Sequence, residues 1–220
     1  MVYLLKVTPH LVQSIGKEDE QMYYLKLFPS MIGPLCFLGM VTYLCLKLER
    51  LESFRRSPWI TNFFFGLLFG LVAIFATNNT VPFKTALTNM RDASPLVAGL
   101  IFGPWAGITA GLVGGLERLL HNGVTTVPCA IATLLAGVVA SVIHIRTKGR
   151  VVRLWQGFLI GVFMEVLHML LVLMVPVGRG PEGFFLVPYA TELEIVGTVA
   201  LAMMLFNGLG VLLALGIHKA

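Results

Sequence analysis

The chain has 220 residues, of which 57% are hydrophobic and only 12% charged, with a formal net charge of +5. A soluble domain carries about 25% charged residues, so the composition excludes an ordinary soluble fold and predicts an all-α integral membrane protein. No ten-residue alternation suggests a barrel. The basic residues cluster beside apolar runs, where headgroups and membrane topology explain them and nucleic acid is not needed.

Residues 1–29 read as a lead-in, partly interfacial, with an acidic patch at Glu18, Asp19 and Glu20 and with Tyr23, Tyr24 and Phe28 at headgroup level. The apolar run at residues 1–5 is too short for a cleavable signal peptide. Residues 30–220 read as one transmembrane domain, a bundle of six to seven helices in the bilayer. The expected spans are 31–46, 58–76, 81–102, 105–120, 127–145, 154–175 and 191–217. The third carries Lys84, Asn89, Arg91 and Asp92. It is either a helix facing a wet cavity or a segment whose first part is broken and partly re-entrant. Gly103-Pro104 interrupts the chain before the fourth span. Four spans separate the basic links 47–56 and 146–153, so both fall on one side. The positive-inside rule makes that side cytoplasmic, puts 177–190 outside and leaves the C-terminus inside. Arg118 and Cys129 then lie near the outer ends of their spans, with Arg91 deeper.

The stretch from Asn89 to Cys129 concentrates the chemistry. Intramembrane charges are costly and mark functional positions. Adjacent residues of a helix do not face each other, so Arg91 and Arg118 need partners other than Asp92 and Glu117 beside them; Arg91 with Glu117 or Glu165 is feasible. The arginines belong either to a structural ion-pair network or to an anion site, because a guanidinium fork matches a carboxylate. Glu165 and His168 share one helix face, as counter-ion or proton relay. Two such residues do not make a metal site. Cys129 is a packing residue or a ligand contact, and Asn207 an interhelical hydrogen-bond residue. Gly99, Gly103, Gly107, Gly111 and Gly115 recur every four residues, which lets helix backbones approach closely. The same face would also serve a homodimer. Cys36, Cys45 and Cys129 have neither CxxC spacing nor an evident pairing. There is no GxxxxGK[ST], GxSxG or HExxH motif, so no enzyme activity and no cofactor is expected of these residues.

The runs Asn89-Met90-Arg91-Asp92, Ala98 to Pro104, and Gly115-Leu116-Glu117-Arg118 resemble the LytS-type 5TM receptor module (5TMR-LYT) of bacterial signalling proteins. His121 to Thr126, Cys129, Ala136-Gly137, Glu165 to Met169 and Met204 to Gly210 continue the resemblance, over about residues 60–217. It implies a sensor domain in the bacterial cytoplasmic membrane, whose partner is a cytoplasmic histidine kinase or diguanylate cyclase output domain beyond residue 220. Some family members sense small carboxylates such as pyruvate. The family pattern implicates two arginines, a cysteine and a nearby hydroxyl, which map onto Arg91, Arg118, Cys129 and Thr133. Asn89 completes the candidate set, with Glu117, Glu165 and His168 as counter-ions or relay. Ala132 stands where the family often has serine, and Glu117 where it often has histidine. The leading expectation is a sensory input module for a small anionic metabolite. The alternative is a substrate-binding membrane subunit of a small-molecule or vitamin transporter.

Overall fold

The structure, a computed structural model, describes residues 17–83 and 86–220. The lead-in over 1–16, Lys84 and the side chain of Tyr24 lie outside the described residues. Five described helices are long and apolar enough to cross a membrane: α1 (Lys17–Glu49, apolar from Leu25), α3 (Pro58–Asn78), α6 (Thr126–Arg146), α7 (Leu154–Met174) and α8 (Tyr189–Lys219). A single turn, α2 (Glu52–Arg55), sits in the first basic link. The helix α1 begins well before residue 30 and runs through Pro29 and Pro34 without interruption. Membrane helices tolerate such prolines because neighbouring groups re-satisfy the freed carbonyls.

The expected third span is not one helix. Its first part is an antiparallel hairpin of β1 (Val81–Phe83) and β2 (Ala86–Thr88), with Val81 opposite Thr88. A turn at Arg91 and Asp92 follows, and then the ten-residue α4 (Ala93–Phe102). The broken reading therefore holds. Protein covers this irregular backbone, as membrane depth requires. Phe83, Ala86 and Thr88 are buried, and the Tyr23 hydroxyl of α1 lies 2.7 Å from Thr88 Oγ1.

Gly103 has φ 93°, a left-handed conformation that favours glycine. It turns the chain back into α5 (Pro104–Leu120), which starts on a proline at its first position. The glycine ladder thus folds on itself. A Cβ on Gly107 would lie 2.7 Å from Gly99 Cα and 2.8 Å from the Gly137 carbonyl of α6. Gly111 and Gly115 approach α6 as closely, at the carbonyls of Thr133 and Ala130. The ladder accordingly joins three helices rather than two.

Both basic links lie at one end of the bundle. There Ile217 of α8 meets Gly39 of α1, Leu215 meets Gly157 of α7, and His144 of α6 meets Gly103. Trp59, Trp105 and Trp155 stand at the starts of α3, α5 and α7 at this same end, each more than half exposed. They mark an interfacial belt. From that level, ten residues of α4 rise about 15 Å, roughly half of a ~30 Å hydrocarbon core. The N-terminus of α4 therefore sits near mid-depth, where its first N–H groups cannot reach water.

Asn207 of α8 answers this need. Its Oδ1 accepts from Ala93 N at 2.7 Å, and its Nδ2 donates to the Met203 carbonyl at 3.0 Å. The interhelical role read from the sequence is the one observed. Asn207→Ala leaves Ala93 N–H with only a longer contact, 3.3 Å to the Met90 carbonyl. The expected loss is about 1–3 kcal/mol, measured as thermal unfolding in detergent; an unchanged Tm would show that α4 does not depend on this bond.

At the opposite end, β3 (Val177–Gly180) and β4 (Gly183–Leu186) form a second antiparallel hairpin between α7 and α8. Arg179 of β3 pairs with Gly123 through both backbone bonds, at 2.8 and 2.9 Å. Its side-chain Nη1 donates to the Leu119 carbonyl at the end of α5.

Candidate functional site

Arg91 sits in the turn before α4 and is 1% exposed. Its Nε donates to Thr133 Oγ1 at 2.7 Å, its Nη1 to Thr77 Oγ1 at 3.3 Å, and its Nη2 to the Cys129 carbonyl at 3.4 Å. One guanidinium thereby ties α3, α4 and α6 together. Asp92 Oδ1 lies 3.7 Å from Nε. Adjacent residues of a helix do not face each other, but these two precede α4, so their side chains converge. The Thr133 hydroxyl can donate to Asp92 Oδ1 at 2.6 Å or to the Cys129 carbonyl at 2.9 Å. Asn89 Oδ1 accepts from Arg91 N at 3.1 Å, so its side chain shapes the turn.

Asp92 also faces α7. His168 Nδ1 is 2.9 Å from Asp92 Oδ2 and 3.4 Å from Glu165 Oε2, while His168 Nε2 is 3.1 Å from Cys129 Sγ. One ligand atom each from Asp92, before α4, and Glu165 and His168, on α7, lie within 4.8 Å of one another, all buried. Neither Glu165 oxygen has a hydrogen-bond partner among the described residues, and the contacts at His168 Nδ1 lack hydrogen-bond geometry. The sequence reading had Glu165 and His168 but not Asp92 in this role. The signal was present, since a buried intramembrane acid is as costly as Arg91.

Arg118 is fully buried near the end of α5. Its Nη1 donates to the His121 carbonyl at 3.3 Å and to Thr126 Oγ1 at 3.1 Å. Its Nε and Nη2 have no acceptor among the described residues. Those two N–H groups lie on the same edge of the guanidinium and point in parallel, the arrangement that receives a carboxylate in two bonds. One turn earlier on α5, Gly115 packs against the carbonyl of Ala130, the residue after Cys129. Glu117 turns instead to His121, with Oε1 2.5 Å from Nε2. Ala132 is buried and offers no hydroxyl. The neighbouring Thr133 hydroxyl is committed to Arg91, Asp92 and its own helix. Beside Cys129 and His168, under the first hairpin, lies a cavity of about 10 Å³, room for roughly one water. The structure thus gathers Arg91, Cys129, Thr133, Glu165 and His168 around Asp92, with Arg118 nearby and Glu117 turned aside. Sequence reasoning missed Asp92, Thr77, Thr126 and Arg179; no spacing rule links the last three to the arginines.

The 5TM-5TMR_LYT family model, the 5TMR of 5TMR-LYT, matches residues 47–220. Among curated proteins, the sensor histidine kinase YpdA of Escherichia coli K12 is 37% identical over 108 residues, covering 48% of this chain and 19% of that protein. The sensor histidine kinase BtsS of Escherichia coli K12 is 24% identical over 196 residues, 86% of this chain and 33% of that protein. The sensor protein LytS of Bacillus cereus is 29% identical over 139 residues, 62% of this chain and 21% of that protein. The matched region spans a third or less of each relative. No solved structure matches the chain.

Proposed function

The chain belongs to the 5TMR-LYT family of membrane sensor domains, and on that premise we propose that it binds a small carboxylate, pyruvate-like in size, on Arg118. The observation that carries this reading is the parallel Nε and Nη2 pair of a fully buried guanidinium whose third nitrogen is already anchored. Cys129 and Arg91 stand beside the bound group. Thr133 and Asn89 hold Arg91 in position. Arg118 is fully buried, and its Nη1 donates to the His121 carbonyl in the link that β3 pairs with through Gly123.

Binding between α5 and α6 shifts the three-helix unit against α8, to which α4 is tied through Asn207. The shift equals the ligand's differential affinity for the two packings. The helix α8 carries it to the basic end, which the positive-inside rule makes cytoplasmic, and there to a histidine kinase or diguanylate cyclase output domain. Residues 30–220, together with the earlier turns of α1, act as the single sensor domain.

Calorimetric titration of the detergent-purified protein with small carboxylates and their neutral amides tests this. Saturable binding of a carboxylate, and none of its amide, is the expected result. Binding of amide and acid alike would sink the Arg118 assignment. Counterflow of the bound carboxylate in vesicles would replace the sensor with a transporter.

A further inference from the structure

We propose that Asp92, Glu165 and His168 form a binding site for one zinc ion, at mid-depth in the bundle and next to the carboxylate site, with none of its three ligands shared with Arg118. The first ground is geometric. Zinc holds nitrogen and oxygen ligands at about 2.0–2.2 Å. Neighbouring ligands at that radius stand about 3.0 Å apart at right angles and about 3.4 Å apart in a tetrahedron. His168 Nδ1 lies 2.9 Å from Asp92 Oδ2 and 3.4 Å from Glu165 Oε2. Both separations from the imidazole nitrogen match ligands of one ion, and the three ligand atoms lie within 4.8 Å of one another.

The second ground is the condition of the ligand atoms. Glu165 is 0% exposed, with both oxygens lacking a donor among the described residues, and one of them directed at the imidazole. A buried carboxylate in that condition is costly. One N–H at Nδ1 serves at most one of the two carboxylates, so the imidazole alone does not satisfy both. A dication balances both carboxylates and leaves Arg91 to its hydrogen bonds with Thr133, Thr77 and the Cys129 carbonyl.

The third ground is the other edge of the ring. His168 Nε2 meets Cys129 Sγ at 3.1 Å. Metal-bound histidines are held in this way by a partner on the second nitrogen. Cys129 is therefore an orienting group and not a ligand, since it stands across the ring from the two carboxylates. One imidazole with two carboxylates suits zinc, whereas calcium takes six to eight oxygens and magnesium a near-octahedral oxygen shell.

The test uses the full chain in detergent, stripped with chelator and titrated with zinc alone, no carboxylate being present. One zinc per chain is expected. Glu165→Gln and His168→Gln should each weaken binding about 100-fold or more, and Cys129→Ser about 10- to 100-fold with the stoichiometry unchanged. X-ray absorption of the zinc-loaded wild type reports independently of any variant's folding. It should show nitrogen and oxygen neighbours at about 2.0–2.2 Å and no sulfur at about 2.3 Å. Absence of saturable zinc binding overturns the proposal, as does binding unchanged in His168→Gln or a sulfur neighbour in the spectrum. These readouts do not involve Arg118, so failure here leaves the carboxylate reading standing, and the reverse holds too.

Discussion

Arg118→Ala is expected to abolish carboxylate binding in a protein that still folds, whereas Arg91→Ala is expected to unfold it. The two arginines look alike in sequence and are both buried, yet their nitrogens are spent differently. Arg118 anchors itself through Nη1 alone. When it is removed, the Thr126 hydroxyl can still donate to the Gly123 carbonyl at 2.9 Å or the His121 carbonyl at 3.1 Å, so the α5–α6 connection stays tied. What disappears is the pair of donors for the ligand. Two hydrogen bonds to a charged group, at about 1.5–3 kcal/mol each, correspond to a loss of about 100-fold or more in affinity. Arg118→Lys should fail nearly as badly, because an ammonium has no parallel fork.

Arg91 donates from all three guanidinium nitrogens to groups on α3 and α6. Its removal takes away these three buried charged donors and the guanidinium 3.7 Å from Asp92, at about 1.5–3 kcal/mol for each hydrogen bond to a charged group. Calorimetry and thermal unfolding, run on both variants, separate the two roles. If Arg91→Ala keeps the wild-type Tm, Arg91 is not the structural hub described above.

Gly107→Ala should disrupt folding strongly for a single methyl group. The added Cβ would stand 2.7 Å from Gly99 Cα, 2.7 Å from Ser141 Oγ and 2.8 Å from the Gly137 carbonyl. Two of these three are backbone atoms, on α4 and α6, and cannot step aside as a side chain can. Overpacking of this kind costs about 1–3 kcal/mol, occasionally more, and Gly107→Val should fail to fold. Gly216→Ala is the control. Nothing lies within 4 Å of a Cβ there, and alanine is the better helix former by about 1 kcal/mol. Equal melting temperatures for the Gly107 and Gly216 variants would show that α4, α5 and α6 do not pack as tightly as described. Splaying these helices would also part Arg118 on α5 from Cys129 on α6, so a partly folded Gly107 variant should bind carboxylate poorly.

Composition and pattern carried much of this protein. Apolar runs of helical length determined that it is a membrane bundle. The spacing of Gly99 to Gly115 marked close backbone packing, though the turn at Gly103 divides it between α4 and α5 instead of one face, and the cost of charge in lipid marked Arg91 and Arg118. These features are local, and periodicity and composition read local features well. The third span was only half legible. Whether Val81 to Asp92 forms a helix depends on what covers its backbone, and Tyr23 on another helix supplies part of that cover. The rule that separates Arg91 from Asp92 is a rule about helices, and it lapsed because the tertiary fold made that step a turn. The gathering of Asp92 with His168 and Glu165, the commitment of Thr77 and Thr133 to Arg91, and the two unspent donors of Arg118 were decided by how α3 to α7 pack. No spacing along the chain encodes them, because each depends on groups brought together from different helices.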